Sequence, residues 1–472
     1  MVFNSIIFLV FFVVVLFVYY LPLPWKIKKN HLWIASYLFY AAWNPPFVVL
    51  LWISTVVDWF VGKAIGNTQK LAKKRALLVV SLCTNLGLLG YFRYGEFLLE
   101  SFIAVLETFN IQFQPAAPDV VLPVGISFYT FQSLSYTLDI YRGKLKPWHS
   151  FSDFALFVTF FPQLVAGPIV RAAAFLPQLI KPRQTSSRQF GWGFYLLFIG
   201  LFEKVILADT LLAPIADKVY AQTADAGFID AWIGTLAFSG QIFFDFSGYS
   251  NCAIGAALCL GFVLPDNFLF PYASTGFAEF WRRWHISLST WLRDYLYISL
   301  GGNRKGRKRT LINLMLTMLL CGLWHGASWR FIFWGGLHGV YLVTERGFRA
   351  VFKDVDFFKR TGIRVGLMLV TYFFLCISWV FFRASDFSSA FSLVSSMLFY
   401  PGVSGLLDQE EVITVLVISA ALLFAHWKLR DKGLELFMEK IPMWVRAIVL
   451  AFFLISLALV PTDERAFIYF QF

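Results

Sequence analysis

Long apolar runs alternate with short polar breaks along this chain, and about 20 consecutive apolar residues is what a helix needs to cross a bilayer. Such runs lie near residues 3 to 24, 45 to 63, 76 to 99, 122 to 141, 190 to 210, 229 to 262, 311 to 326, 329 to 345, 364 to 383, 412 to 427 and 444 to 461. The stretch from His31 to Trp43 is too short to cross straight and is cut by Asn44-Pro45-Pro46, which predicts half of a hairpin. The pattern predicts an all-α polytopic membrane protein with about eleven transmembrane or re-entrant helices.

Three stretches interrupt the apolar pattern. Leu122 to Ser127, Phe161 to Pro168 and Asp245 to Tyr249 put proline, glycine or polar groups at membrane depth. Backbone that leaves the helix there must be buried in protein or line a cavity, so these breaks predict an internal chamber or funnel. No internal repeat and no linker rich in Pro, Gly or Ser divides residues 1–472, which read as a single integral membrane domain.

One segment is too polar to span. From Glu279 to Tyr297, helical spacing puts Trp281, Trp284, Leu288, Trp291 and Tyr295 on one face and Arg282, His285, Ser289 and Arg293 on the other. This predicts an amphipathic helix greased into the membrane boundary by its tryptophans, with a cationic, titratable stripe opposite. With the basic loop that follows, it makes residues 279–309 a cytoplasm-facing element within the domain.

Composition agrees with the hydropathy pattern. Hydrophobic residues make up 58% and charged residues 14%, against about 45–50% and 25% in soluble domains. Met1 to Trp25 carries no charge and is followed at once by Lys26-Ile27-Lys28-Lys29, a retained first span and not a cleaved leader. The net charge of +12 is spread over short Lys/Arg clusters between apolar runs, which excludes a nucleic-acid surface and marks cytoplasmic loops. Those clusters are 26 to 29, 70 to 75, 142 to 146, 171 to 188, 304 to 309, 346 to 364 and 428 to 432, while the acidic loop from Glu100 to Asp119 belongs outside. This arrangement puts both termini outside. The five cysteines sit in apolar surroundings with no Cys-x-x-Cys, so they read as packing residues and not as disulfides or metal ligands.

Candidate chemistry centres on His325. It stands in Gly322-Leu323-Trp324-His325-Gly326-Ala327, inside a stretch without Asp, Glu, Lys or Arg between Arg309 and Arg330. An ionisable side chain at membrane depth faces protein or a water-filled cavity and is a functional hypothesis by default. Burial drives an imidazole, whose ordinary pKa is about 6.5, toward the neutral form that a general base requires. Gly322, Gly326 and Ala327 would leave room beside it for substrate. His285 is the second candidate, and His338 in Trp334-Gly335-Gly336-Leu337-His338-Gly339 either lines the same cavity or bonds a backbone carbonyl. His31, His149 and His426 fall at span boundaries, which predicts interfacial positions. The glycine turn Gly301-Gly302-Asn303 and the five cations after it suit a phosphorylated ligand or a topological anchor. No His-Glu-x-x-His and no Gly-x-Ser-x-Gly occurs, so zinc-hydrolase and serine-hydrolase chemistry have no support.

The sequence from Phe280 to Tyr297, then Gly301-Gly302-Asn303-Arg304, then Gly322 to Ala327, resembles the membrane-bound O-acyltransferase family, and within it the bacterial alginate and exopolysaccharide O-acetyltransferases. Met1 to Ser5, Ser36 to Tyr40, Leu122 to Tyr129 and Phe161 to Pro168 share the likeness, which runs to about Gly339. The resemblance implies a helical core around a central tunnel, with catalytic roles at His325 and His285. It implies donor contacts at Arg282, Arg283, Arg293, Asn303 and Arg304, a cavity lined by Trp324, Gly326, Asp294 and His338, and no metal or resident cofactor. It further implies transfer from cytoplasmic acetyl-CoA, across a bacterial inner membrane, to a cell-envelope polysaccharide such as an alginate-like polymer or peptidoglycan. A periplasmic or extracellular acetyltransferase would be the partner protein. Two alternatives stand beside this: D-alanyl transfer to teichoic acid, and a proton-coupled carrier built on the broken helices and buried histidine.

Overall fold

The computed structural model describes all residues except 114, 116–120, 166, 352–359, 400–404, 461–464, 466 and 469–472. Among the described residues the regular structure is helical and no strand occurs. In chain order the helices are α1 (Ile6–Tyr20), α2 (Trp25–Ala41), α3 (Val48–Gly66), α4 (Leu71–Thr108), α5 (Ile126–Tyr141), α6 (Phe151–Thr159) and α7 (Phe161–Leu164). They continue with α8 (Ala172–Phe175), α9 (Ser187–Leu201), α10 (Ala213–Ala221), α11 (Phe228–Cys259), α12 (Phe277–Arg283), α13 (Ile286–Trp291) and α14 (Gly306–His325). The last are α15 (Trp329–Val351), α16 (Thr361–Arg383), α17 (Phe387–Phe399), α18 (Gln409–Leu429), α19 (Leu434–Glu439) and α20 (Met443–Leu459).

Every apolar run read from the sequence falls on a helix. By length and composition alone, the helices at Pro45–Gly66, Leu71–Thr108, Thr361–Arg383 and Gln409–Leu429 suffice to cross a membrane, while α1, α17 and α20 are apolar but shorter. Ile6, Phe17, Val105, Phe424 and Ile448 are exposed large apolar side chains on such helices, as a lipid-facing surface requires. The predicted half-hairpin is longer than expected, because α2 begins at Trp25 and takes Lys26 to Lys29 into its first turns. The outer loop from Glu100 to Asp119 and the cluster from Arg346 to Arg364 run through positions outside the described residues, as does Ala166 of the second break.

The chain forms two compact units, residues 1–194 with 253–265, and residues 195–252 with 266–472. In the first, α1 starts on the Ser5 hydroxyl, which accepts from Phe8 N–H at 3.1 Å, and ends before Pro22. Asp58 of α3 is fully buried among α4 and α5, where the hydroxyls of Ser81 and Ser133 and the amide of Asn85 donate to its carboxylate. Two of the expected breaks lie against each other here. A Cβ on Gly125, whose φ is +75°, would meet Leu164 O at 2.7 Å, so this backbone is buried in protein.

In the second unit the third expected break is no break. Asp245 to Tyr249 lies inside the uninterrupted α11. Gly248 is there for close approach, since a Cβ would meet Lys204 N at 2.9 Å. Asp245 is tolerated because Lys204 reaches it at 2.6 Å and Asp209 at 2.9 Å, and Ile468 N–H donates to it at 2.7 Å. α14 and α15 form a hairpin packed backbone to backbone: a Cβ on Gly322 would collide with Phe331 O, and one on Gly335 with Met318 O. Gly326 packs on the Phe331 ring in the same way. Gly322 and Gly326, on either side of His325, therefore seat α15.

Candidate active site

His285, His325 and the weaker candidate His338 belong to the second unit, and the fold gathers them. His325 is the last residue of α14, where Gly326 turns the chain to an extended conformation. His285 lies between α12 and α13 with φ +40° and ψ 56°, in the left-handed region that an L side chain enters only at a cost. The amphipathic helix expected from Glu279 to Tyr297 is therefore broken at its middle, and it ends in a π-helical turn at Leu292–Tyr297. The break is held by a neighbouring segment. Ile286 N–H donates to Asn267 O at 2.9 Å and Leu269 N–H to Arg283 O at 2.9 Å. The Ser287 hydroxyl donates to Asn267 Oδ1 at 2.6 Å, and Asn267 Nδ2 donates to Ser250 Oγ at 2.8 Å. Backbone groups released by the break are satisfied inside the protein, which lets a non-helical turn persist at depth.

The break aims His285 inward. Its ring centroid lies 6.4 Å from that of His325 and 5.6 Å from that of Trp324. Phe246 of α11 stands edge-on to His285 at 4.6 Å, Trp334 of α15 edge-on to His325 at 5.0 Å, and Phe382 of α16 at 5.5 Å from His325. His285 is 0% exposed and His325 1%. The expected titratable stripe thus points into the aromatic core, and the tryptophans predicted to face the membrane boundary are inside too, with Trp284 at 0% and Trp281 and Trp291 at 8%. The burial of Trp281 and Trp284 follows from α15 and α16 packing over α12: Trp281 meets Trp334 at 5.9 Å, and Trp284 meets Trp379 at 5.2 Å.

His338 belongs to the same cage. Its ring lies 4.6 Å from Trp334, and Nε2 is 3.2 Å from the Ser378 hydroxyl, so its partner is a side chain on α16. Trp324 is buried against both catalytic candidates, at 5.0 Å from His325. Asp294 pairs with the exposed Arg293 at 2.7 Å. Asn303 accepts a hydrogen bond from Tyr297, and Arg304 is exposed on the glycine turn, where Gly301 and Gly302 take positive φ. His426, expected at an interface, is buried on α18, and its Nδ1 accepts from Tyr272 N–H at 3.2 Å.

Arg282 and Arg283 face a different place, a cavity of about 440 Å³ also lined by Glu279, Arg430 and Lys432. Glu279 receives Arg283 Nε at 2.9 Å and Arg430 Nη2 at 2.7 Å. Burial pushes its carboxyl up, but the N–H and hydroxyl of Thr275 and the two guanidinium groups outweigh burial and hold it at about 2. Sequence reasoning missed Arg430 and the cage members Trp379 and Phe382, which reach the site across more than fifty residues of chain. The cluster from Lys428 to Lys432 was legible only as a topological signal, on the side also given to Arg282.

The model of the membrane-bound O-acyltransferase family (MBOAT) matches residues 144–385, a range that contains His285, His325 and His338. A protein of Azotobacter vinelandii named "Probable alginate O-acetylase AlgI" is 41% identical over 443 residues, covering 93% of this chain and 86% of that one. Its namesake in Pseudomonas aeruginosa is 43% identical over 406 residues, covering 84% of this chain and 75% of that one. The peptidoglycan O-acetyltransferase of Helicobacter pylori is 38% identical over 437 residues, covering 85% of this chain and 80% of its own.

Proposed function

Since the chain belongs to the membrane-bound O-acyltransferase family, we propose that this multi-pass O-acyltransferase moves an acetyl group from acetyl-CoA to hydroxyl groups of a cell-envelope polysaccharide, using the His285/His325 pair. The observation that carries the reading is that pair: two imidazoles with centroids 6.4 Å apart, shut from solvent, one of them on a strained backbone. Residues held in sparsely populated backbone conformations gather at functional sites, where the surrounding structure over-determines them. Here Asn267 does the holding.

The chemistry follows from the groups present. The neutral imidazole of His325 takes the proton of an acceptor hydroxyl as the oxygen attacks the thioester carbonyl carbon. The carbon–oxygen bond forms, the carbon–sulfur bond breaks, and the thiolate leaves with the proton returned from His325, giving the acetyl ester and free CoA. His285 donates toward the carbonyl oxygen as negative charge develops there. The surrounding indoles keep water from the thioester, so hydrolysis does not compete.

The acceptor is read from the relatives, whose names specify alginate and peptidoglycan. D-alanyl transfer is the activity named for a relative that matches only 53% of this chain, so acetyl transfer is preferred. We place the donor in the cytoplasm, the protein in the bacterial inner membrane, and a periplasmic acetyltransferase at its outer side as the protein that completes transfer to polymer. The test is purified protein with radiolabelled acetyl-CoA and a soluble oligosaccharide acceptor, with and without that partner. Release of CoA coupled to labelled ester is expected. If acetyl-CoA keeps its acetyl group under every one of these conditions, the reading fails.

A further inference from the structure

The α14–α15 hairpin packs through glycines along its length, and at the end away from His325 it carries an uncompensated charge. Gly322 with Phe331 O, Gly335 with Met318 O and Gly339 with Met315 set an antiparallel register. Continued one heptad beyond Met315 and Gly339, that register brings Lys308 opposite Arg346. Lys305, Arg307 and Arg309 crowd the same end. All of these cations are exposed, and none forms an ion pair with a described residue. Glu345, beside Arg346 in the chain, is taken by Arg349 at 2.7 Å. Like charges brought together repel, and no described carboxylate offsets the repulsion here.

A second observation concerns what lies along the helix below the cations. Lys308, Ile312, Leu316 and Leu320 follow one another four residues apart on α14, and the three apolar members are exposed. Thr310, Asn313, Thr317 and Cys321 on the other face are buried. A cation at the head of an exposed apolar stripe meets both halves of a lipid, headgroup and chain. The end is also held rigid. Asn313 Nδ2 donates to Gly302 O at 3.0 Å and Gly302 N–H to Tyr297 O at 2.9 Å, which fastens the glycine turn to the buried face of α14. Tyr297 donates to Asn303 and lies within reach of the charge of Arg346, so the turn and the end of α15 are neighbours.

We infer that this end of the hairpin binds an anionic membrane lipid, its phosphate between Lys308 and Arg346, Lys305 and Arg309 at the rim, and an acyl chain along Ile312, Leu316 and Leu320. The apolar stripe selects the lipid, since a soluble phosphorylated ligand has no chain to lay on it. The inference is independent of acetyl transfer. Occupancy fastens to the bilayer surface the helix that ends in His325.

The test reads unfolding midpoints of the full-length protein in dodecylmaltoside micelles, titrated with dioleoyl-phosphatidylglycerol or dioleoyl-phosphatidylcholine. The variant is K308Q/R309Q/R346Q, whose side chains are exposed and carry no packing. Cations in the first turn oppose the helix dipole, and α14 has no acidic residue there. In neutral micelles the variant should therefore unfold at the same midpoint as wild type or slightly higher. Phosphatidylglycerol should raise the wild-type midpoint, phosphatidylcholine should not, and the variant's apparent affinity for phosphatidylglycerol should fall about tenfold or more. The order of the two proteins then reverses between neutral and anionic micelles. K308R/R309K/R346K keeps the charges and should respond as wild type does. An equal rise in wild type and K308Q/R309Q/R346Q, or no preference of wild type for phosphatidylglycerol, overturns the inference. So does a wild-type rise that inorganic phosphate reproduces and the glutamine variant lacks, which assigns a free anion in place of the lipid. Loss of the rise in the charge-preserving variant also overturns it, because charge then is not what the lipid reads.

Discussion

Replacing His285 by glycine and by alanine isolates the cost of its backbone. At φ +40° an L residue pays about 1–2 kcal/mol for the left-handed conformation. Alanine keeps that cost and glycine does not. Glycine instead loses about 0.5–1 kcal/mol of chain entropy on folding. Both variants forfeit the ring contacts with Phe246 and Trp324 equally, so packing cancels from the comparison. The glycine variant should therefore be the more stable by roughly 0.5–1 kcal/mol, the reverse of the order in an ordinary helix interior. Denaturant titration of the detergent-solubilised proteins reads this as a higher midpoint for H285G than H285A at unchanged slope. An alanine variant as stable as the glycine variant, or more so, would refute a strained backbone at His285.

Further outcomes follow from the same geometry. H325A should insert normally and lose acetyl transfer by about 100- to 10,000-fold, the usual worth of a positioned base; near-normal turnover would remove His325 from the mechanism. H285A should lose most but not all activity, since its partner imidazole remains, and a rate equal to wild type argues against a paired site. G335A, which drives a Cβ into Met318 O and the Gly322 backbone, should cost about 1–3 kcal/mol, seen as a lowered unfolding midpoint. Glu279 is held at about 2 against its ordinary 4.5, so its stabilising contribution is complete above pH 4.5 and fades as pH falls toward 2. The stability gap between wild type and E279Q should close across that window, and a gap independent of pH would contradict the assignment.

Hydropathy made the helices legible because lipid leaves a chain few choices, and the apolar runs fall on α1, α3, α4, α5, α11, α14, α15, α16, α18 and α20, with α9 continuing into the π-helical turn Phe202–Leu212. His325 was legible for a related reason: a polar group in an uncharged stretch is conspicuous. The break at His285 was not, because helical periodicity runs unbroken through Trp284 and His285, and what stops the helix is Asn267, whose hydrogen bonds come from a separate part of the chain. Asp245 to Tyr249 erred in the opposite sense. Its glycine and carboxylate look like a break, yet Gly200 and Lys204 complete them across a helix contact. Periodicity sees one helix at a time, and both positions are decided by a second segment. Asp58 was visible by the rule that singled out His325, standing uncharged on either side from Pro45 to Gly62.

The contact between α14 and α15 fixes more than their distance. Side chains that interdigitate can slip by a rotamer, but Gly322 against Phe331 O and Gly335 against Met318 O oppose main chain to main chain at two levels. The hairpin has no low-cost way to slide along its axis. His325 ends one arm and His338 sits on the other, so the level of the imidazole along the hairpin axis is a backbone property, insensitive to which apolar residues cover the outside. An acyl transfer that depends on one imidazole needs it held at a fixed level, and here glycines, the residues with least to contribute chemically, set it.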